Sequence, residues 1–191
     1  MRFWHHPGQP LSPVKAKGPG GTAFYCPVIE LPKKFDDSLQ SWDMSFKETK
    51  AGSFVVGQVW SKERDNRFLL DQFRDRVGFP ESVAAVKSMT MRWPDVVTKL
   101  IENKANGPAV VATLKNEIAG MVEVEPEGGK EARAHAASKV VESGNVYLPH
   151  PDIAPWVTGF IEECAGFPFG SNDDQVDSFS QAQIRFGDKK S

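Results

Sequence analysis

Three acidic features in the chain could do chemistry together. The first is Asp43, set inside the apolar run Leu39-Gln-Ser-Trp-Asp-Met-Ser-Phe46. Strands are depleted in Asp, and a buried unpaired carboxylate is costly, so that position calls for a partner. The second is Glu102, placed where the apolar run around Leu100 and Ile101 gives way to Asn106-Gly107-Pro108. The third is "SNDDQVDSF", in which Asp177 shares a helix face with Asp173 (i, i+4) and with Asp174 (i, i+3). Each has a plainer reading: an edge-strand carboxylate facing solvent, a charge at a strand end, acids capping a first helical turn. Three like charges in five residues nevertheless exceed what capping needs, and they repel unless a cation sits between them. Carboxylates are the ligands that Mg²⁺ or Mn²⁺ prefer. Two such ions about 3.5–4 Å apart activate water and stabilise a leaving 3′ oxygen. The chemistry expected from the set is phosphodiester hydrolysis.

The elements that must position these acids are regular from Leu39 onward. Residues 39–46, 53–62 and 67–75 read as three consecutive strands, a hairpin and then a meander, with "AG" and "ERDN" as turns. Alternation along the first strand puts Leu39, Ser41, Asp43 and Ser45 on one face and Gln40, Trp42, Met44 and Phe46 on the other. A helix over 79–94 follows, with apolar positions 83, 86, 89 and 93 at helical spacing, Pro80 in its first turn and Pro94 at its end. The second half alternates: strand 97–104, helix 106–119, strand 120–126, helix 129–144, a short extended piece 145–151, and helices 154–167 and 171–186. The expected fold is α/β, a mixed sheet of three antiparallel strands followed by parallel strands, flanked by helices. Glu102 then stands at the carboxyl end of a strand, where open α/β sheets bind ligands.

Composition narrows the class. With 191 residues, 40% of them hydrophobic, the chain suits one domain with a sizeable core. A net charge of −2 gives no global basic signature, so a nucleic-acid partner must be met by a local basic surface or through bound cations. Cys26 and Cys164 form no CxxC pair and read as reduced thiols of a cytoplasmic protein, and no apolar run approaches the length of a membrane span. Residues 1–32 hold six prolines and four glycines and only one acid, Glu30, and read as mostly irregular. The division expected is an extension over 1–34, a domain over 35–186 and a polar tail over 187–191. His5 and His6 suggest a metal site, but no other His or Cys has matching spacing, and a surface tail is the simpler reading.

With these residues assembled, the chain resembles the nuclease domain of the large subunit of phage DNA-packaging terminases, a branch of the RNase H-like superfamily. The resemblance rests on "LQSWDMSFKETKAGSFVVGQVW", "LIENKANGPAVVATLK", "PEGGKEARAHAAS", "GNVYLPHP" and "DDQVDSFSQA", in that order over about residues 35–182. It implies a metal-dependent endonuclease that cuts double-stranded concatemeric viral DNA with little sequence preference, using two Mg²⁺ or Mn²⁺ ions. It also implies the motor ATPase domain, the small terminase subunit and the portal protein as partners, in the host cytoplasm. Carried over, Asp43 is similar to the metal-bridging acid of the first strand, Glu102 to the second acid, and Asp173 and Asp174 to the terminal acidic pair, with Asp177 supporting the helix. The family often has an Asp in the turn after the first strand, where this chain has Ser53. No G-x-x-x-x-G-K-[ST] is present, so the chain is expected to be the nuclease half alone, without ATP hydrolysis.

Lys104, Lys130 and Arg133 are candidate phosphate contacts, set against solvated-face readings. His150 reads as a packed loop histidine before a proton shuttle. Trp42, Trp60, Trp93 and Trp156 read as packing rather than base-stacking platforms. Two other functions stay open on these residues: a catalytically silent module docking on portal or capsid partners, and a resolvase-like nuclease.

Overall fold

The apolar runs expected to pair do so. The computed structural model describes residues 2–17, 21–44 and 53–188. Strand β5 (Asp37–Asp43) pairs antiparallel with β6 (Val55–Glu63), which pairs antiparallel with β7 (Asn66–Asp75) around a turn at Arg64 and Asp65. Helix α1 (Phe79–Arg92) leads to β8 (Thr98–Glu102), helix α2 (Gly107–Leu114) and β9 (Met121–Val124), with β8 parallel to β5 and β9 parallel to β8. Helix α3 (Lys130–Glu142), strand β10 (Val146–Pro149) and helices α4 (Val157–Gly166) and α5 (Asp174–Asp188) complete the order expected over this half. Ser45, Phe46 and the "AG" turn lie outside the described residues.

The first thirty residues depart from the expectation of a mostly irregular segment. They contribute β1 (Arg2–His5), β2 (Val14–Lys17), β3 (Ala23–Cys26) and β4 (Val28–Glu30). Strands β1 and β4 join the main sheet, whose order is β4-β1-β10-β7-β6-β5-β8-β9, while β2 and β3 form a separate hairpin. The cause is tertiary. Strand β1 lies parallel to β10, far along the chain, and Trp4 is 2% exposed with its Nε1 donating to the Leu69 carbonyl.

Alternation then divides the core. Trp42, Met44, Val55 and Val59 pack with α1 and α2 on one face, while Leu39, Trp60, Leu69 and Leu100 pack with α3, α4 and α5 on the other. Helix α1 buries Ser82, Ala85, Val86 and Met89, close to the stripe expected for it, with Val83 and Trp93 packed partly against the core. Among the described residues, no helix is long and apolar enough to cross a membrane.

Candidate active site

Register brings the first two acids together. Trp42 pairs with Ile101 across the parallel β5–β8 ladder, so Asp43 and Glu102 each stand one residue beyond that pair, at the same edge of the sheet. Adjacent strands lie about 4.8 Å apart, and both side chains share the face that carries Leu39 and Leu100. Two glycines make the placement possible. A Cβ on Gly57 would come within 2.4 Å of the Trp42 ring, which occupies that space beside Asp43. A Cβ on Gly107 would meet the Glu102 carbonyl oxygen at 2.1 Å, so the start of α2 folds closely over the end of β8.

Helix α5 is lashed onto this face. Ser41 Oγ donates to the Ser178 carbonyl at 2.7 Å, and Ser178 Oγ reaches the carbonyls of Ser41 and Val56 at 3.2 and 3.1 Å. Its first turn is held by a buried polar relay. Gln175 donates its N–H and its amide to Glu163 at 2.7 and 2.6 Å, and its amide oxygen accepts from Gln72, which in turn accepts from Gln58. Sequence reasoning passed over these glutamines. The signal available for Gln58 and Gln72 was their placement on strand positions that alternation turns toward α5.

The α5 acids consequently differ in role. Asp177 is 6% exposed and lines a cavity of about 410 Å³ together with Asp43, Glu102, Arg133 and Gln181. Asp174 is also buried, but it accepts the Phe54 N–H at 3.1 Å and does not line the cavity. Burial pushes its carboxyl above the usual range, Glu163 and Asp173 add to the rise, and the Phe54 hydrogen bond and Lys130 work against it. Asp173 is partly exposed and lies against Lys130.

Basic side chains thread between the acids. Lys130 Nζ lies 2.8 Å from Asp173 and 2.6 Å from Asp177, and Arg133 Nη2 lies 2.9 Å from Asp177 and 3.6 Å from Glu102. Lys104 Nζ is 3.6 Å from Glu102. Burial works against the Lys130 charge, but its two carboxylate bonds outweigh that and hold the ammonium above its ordinary range. The three cations expected on DNA phosphates are therefore placed on the acids. Among the described residues, no three His, Cys, Asp or Glu side chains converge as they would around an ion. Asp43, Glu102 and Asp177 are oxygen donors that face one cavity, which suits a hard divalent cation, and Lys130 and Arg133 supply positive charge at these carboxylates.

The histidines stand apart from this constellation. His150 is buried, with Nδ1 accepting the Asp152 N–H and Nε2 bonded to the Ser12 carbonyl, as a packed histidine would be. His5 bonds the His6 carbonyl. Trp42 and Trp60 are fully buried, and Trp93 and Trp156 partly so.

The chain's sequence matches the model of a known family. The model of the terminase RNase H-like domain matches residues 40–185, a span that includes Asp43, Glu102 and all three acids of the α5 region. The chain belongs to that family. Solved terminase structures share its fold. The g2p large terminase nuclease domain of bacteriophage SPP1 with bound Mn is 15% identical, with a TM-score of 0.57 over 80% of this chain and 88% of that one. The large terminase nuclease of the thermophilic phage G20c with bound magnesium is 14% identical, with a TM-score of 0.61 over 78% of this chain and 81% of that one. A longer large terminase, from another thermophilic bacteriophage, is 8% identical with a TM-score of 0.61, and this terminase RNase H-like chain spans 41% of its length. No curated protein sequence matches the chain.

Proposed function

We propose that the chain is a metal-dependent endonuclease that cuts double-stranded concatemeric DNA during viral genome packaging, with little sequence preference. The observation that carries this reading is the pairing of Asp43 and Glu102 at one strand edge, inside a cavity closed by Asp177. The relatives solved with Mn and with magnesium support those ions as cofactors, and the reading takes two of them per site. Bound there, they would supply Lewis-acid stabilisation and an activated water.

The protein's own residues do the rest. Strand β5 presents Asp43 as a rigid oxygen donor, and β8 presents Glu102 beside it. Helix α5 brings Asp177 to the cavity, with Asp174 and Asp173 at its start as further donors. Arg133 fixes the Asp177 carboxylate by charge-assisted hydrogen bonding. Lys130, which bridges Asp173 and Asp177, would be free for the phosphate backbone once ions took those carboxylates, and Lys104 would be a further phosphate contact. Weak sequence preference follows from addressing phosphates rather than base edges.

The domain proposed for this work is residues 35–186, with 1–34 as an extension and 187–191 as a tail. Its setting is the host cytoplasm, with the terminase ATPase domain, small subunit and portal protein as partners and ATP hydrolysis left to the motor. Nicking of supercoiled plasmid tests the reading. Wild type should nick with Mn²⁺ and not with EDTA, and Asp43→Asn, Glu102→Gln and Asp177→Asn should each abolish nicking. Folded wild type that fails to nick at high concentration would favour a silent docking module. Preference for four-way junctions would favour a resolvase-like nuclease.

A further inference from the structure

Helix α4 reaches the site through one side chain. Glu162 and Glu163 are adjacent in sequence but unlike in setting: Glu162 is exposed, whereas the Glu163 side chain is only 6% exposed. A buried carboxylate is tolerated only where donors meet it. Three do so here. Oε1 accepts the Gln175 backbone N–H at 2.7 Å, and Oε2 accepts the Gln175 side-chain amide at 2.6 Å and Arg74 Nη2 at 3.0 Å.

Both arms of this contact lead to the acids of α5. Gln175 follows Asp174 in the first turn of α5, where a helix leaves its N–H groups without partners of its own. Glu163 satisfies one of them from a different helix, and its charge suits the positive end of α5. The other arm runs through Arg74, whose Cζ lies 3.6 Å from the centroid of the Phe54 ring, and the Phe54 N–H donates to Asp174 at 3.1 Å. Glu163, Arg74, Phe54, Asp174 and Gln175 therefore close a ring of contacts that joins α4, β7 and the approach to β6 to the first turn of α5. Asp177 stands within one turn of Asp174, at the cavity. A shift of that turn moves both acids relative to Asp43 and Glu102.

We propose that Glu163 is a positioning residue for DNA cleavage: from α4 it fixes the first turn of α5, and so the places at which Asp174 and Asp177 meet the ions held by Asp43 and Glu102. The inference rests on the metal-dependent reading of the site. The role demands reach as well as charge. Glu163→Gln offers one oxygen to donors that use two, and Glu163→Asp keeps the charge but stops one methylene short. Calorimetry measures Mn²⁺ affinity, and cleavage of a linear duplex at saturating Mn²⁺ gives kcat and KM. Both variants should bind Mn²⁺ on the order of ten-fold more weakly and lose on the order of 10- to 100-fold in kcat, with KM for DNA unchanged. Glu162→Gln removes the same charge from the exposed neighbour and should match wild type in both measurements. Met89→Ala lowers stability from the opposite face of the sheet and, while folded, should also match wild type. Should the Glu163 variants fail to fold, Arg74→Met breaks the second arm at a partly exposed residue and should lower kcat without changing KM. Wild-type Mn²⁺ affinity and kcat in the folded variants would overturn the role. So would full recovery in Glu163→Asp alone, which would assign the effect to charge rather than position. A wild type that neither binds Mn²⁺ nor cleaves is a different failure, that of the nuclease reading itself, and the inference falls with it.

Discussion

One buried guanidinium ties helix α5 to the end of strand β8: Arg133 Nη2 lies 2.9 Å from Asp177 and 3.6 Å from Glu102. Both carboxylates reach the same nitrogen atom, and all three groups are buried. Two like charges are thereby held facing one cavity with a guanidinium between them. The arrangement is stable only while the cation stays.

Removing that cation should be expensive. Arg133→Ala leaves Asp177 to Lys130 and Glu102 to the more distant and exposed Lys104, and breaking a buried pair in this way costs up to about 3–5 kcal/mol. Urea unfolding at neutral pH measures it. A loss below about 1 kcal/mol, the range of surface pairs, would mean that the pair is solvated.

Lys130 should compete with divalent ions. Its ammonium bridges Asp173 and Asp177, so an ion drawing on either oxygen must displace it. Lys130→Gln leaves Asp177 paired with Arg133 and should bind Mn²⁺ severalfold more tightly by calorimetry. Equal or weaker binding would show that Lys130 does not occupy the ions' place.

Gly107 should matter to catalysis more than to binding. A methyl group there meets the Glu102 carbonyl, so Gly107→Ala must shift the strand end that carries the acid. A misplacement of this kind costs on the order of 100-fold in rate. Cleavage should fall by that order, with duplex affinity in EDTA unchanged. Gly57→Ala should instead destabilise the fold by about 1–3 kcal/mol, because the Trp42 ring has no room to move.

Cys164 should be inert in the folded protein. Partial burial, with Glu163 adding to it, pushes its thiol up to about 12. Against an ordinary value of 9.0, the reactive thiolate is about a thousandfold scarcer at neutral pH. A thiol whose value is raised by folding leaves stability untouched below the ordinary range and lowers it as pH climbs from about 9 toward 12. In a Cys26→Ala background, iodoacetamide at pH 8 should modify the native protein far more slowly than the urea-unfolded chain. Equal rates would contradict the burial.

Legibility followed locality. Asp43 and Glu102 could be read from sequence because strand alternation and strand ends are short-range features, and both acids stand where those features put them. Asp177 was harder. Spacing of i, i+3 and i, i+4 shows which acids share a helix face but not which one turns toward a strand far away in sequence, so its place in the cavity lining could not be read. Lys130 and Arg133 read as phosphate contacts for the same reason, since their partner Asp177 lies far along the chain. Strands β1 and β4 were hidden by the prolines and glycines around them, and their stability comes from parallel pairing with distant or short partners. The glutamine relay beneath α5 was silent in the sequence because each member is an ordinary strand or helix residue until packing joins them.

Everything proposed about cleavage depends on Asp43, Glu102 and the acids of α5 holding the ions that cut DNA. Anomalous diffraction from crystals soaked in Mn²⁺ is the decisive observation. Density is expected in the cavity between Asp43 and Glu102, with Asp177 turned toward it and Lys130 displaced. Density elsewhere, or none there in protein that nicks plasmid with Mn²⁺, would rule out this assignment of the ligands.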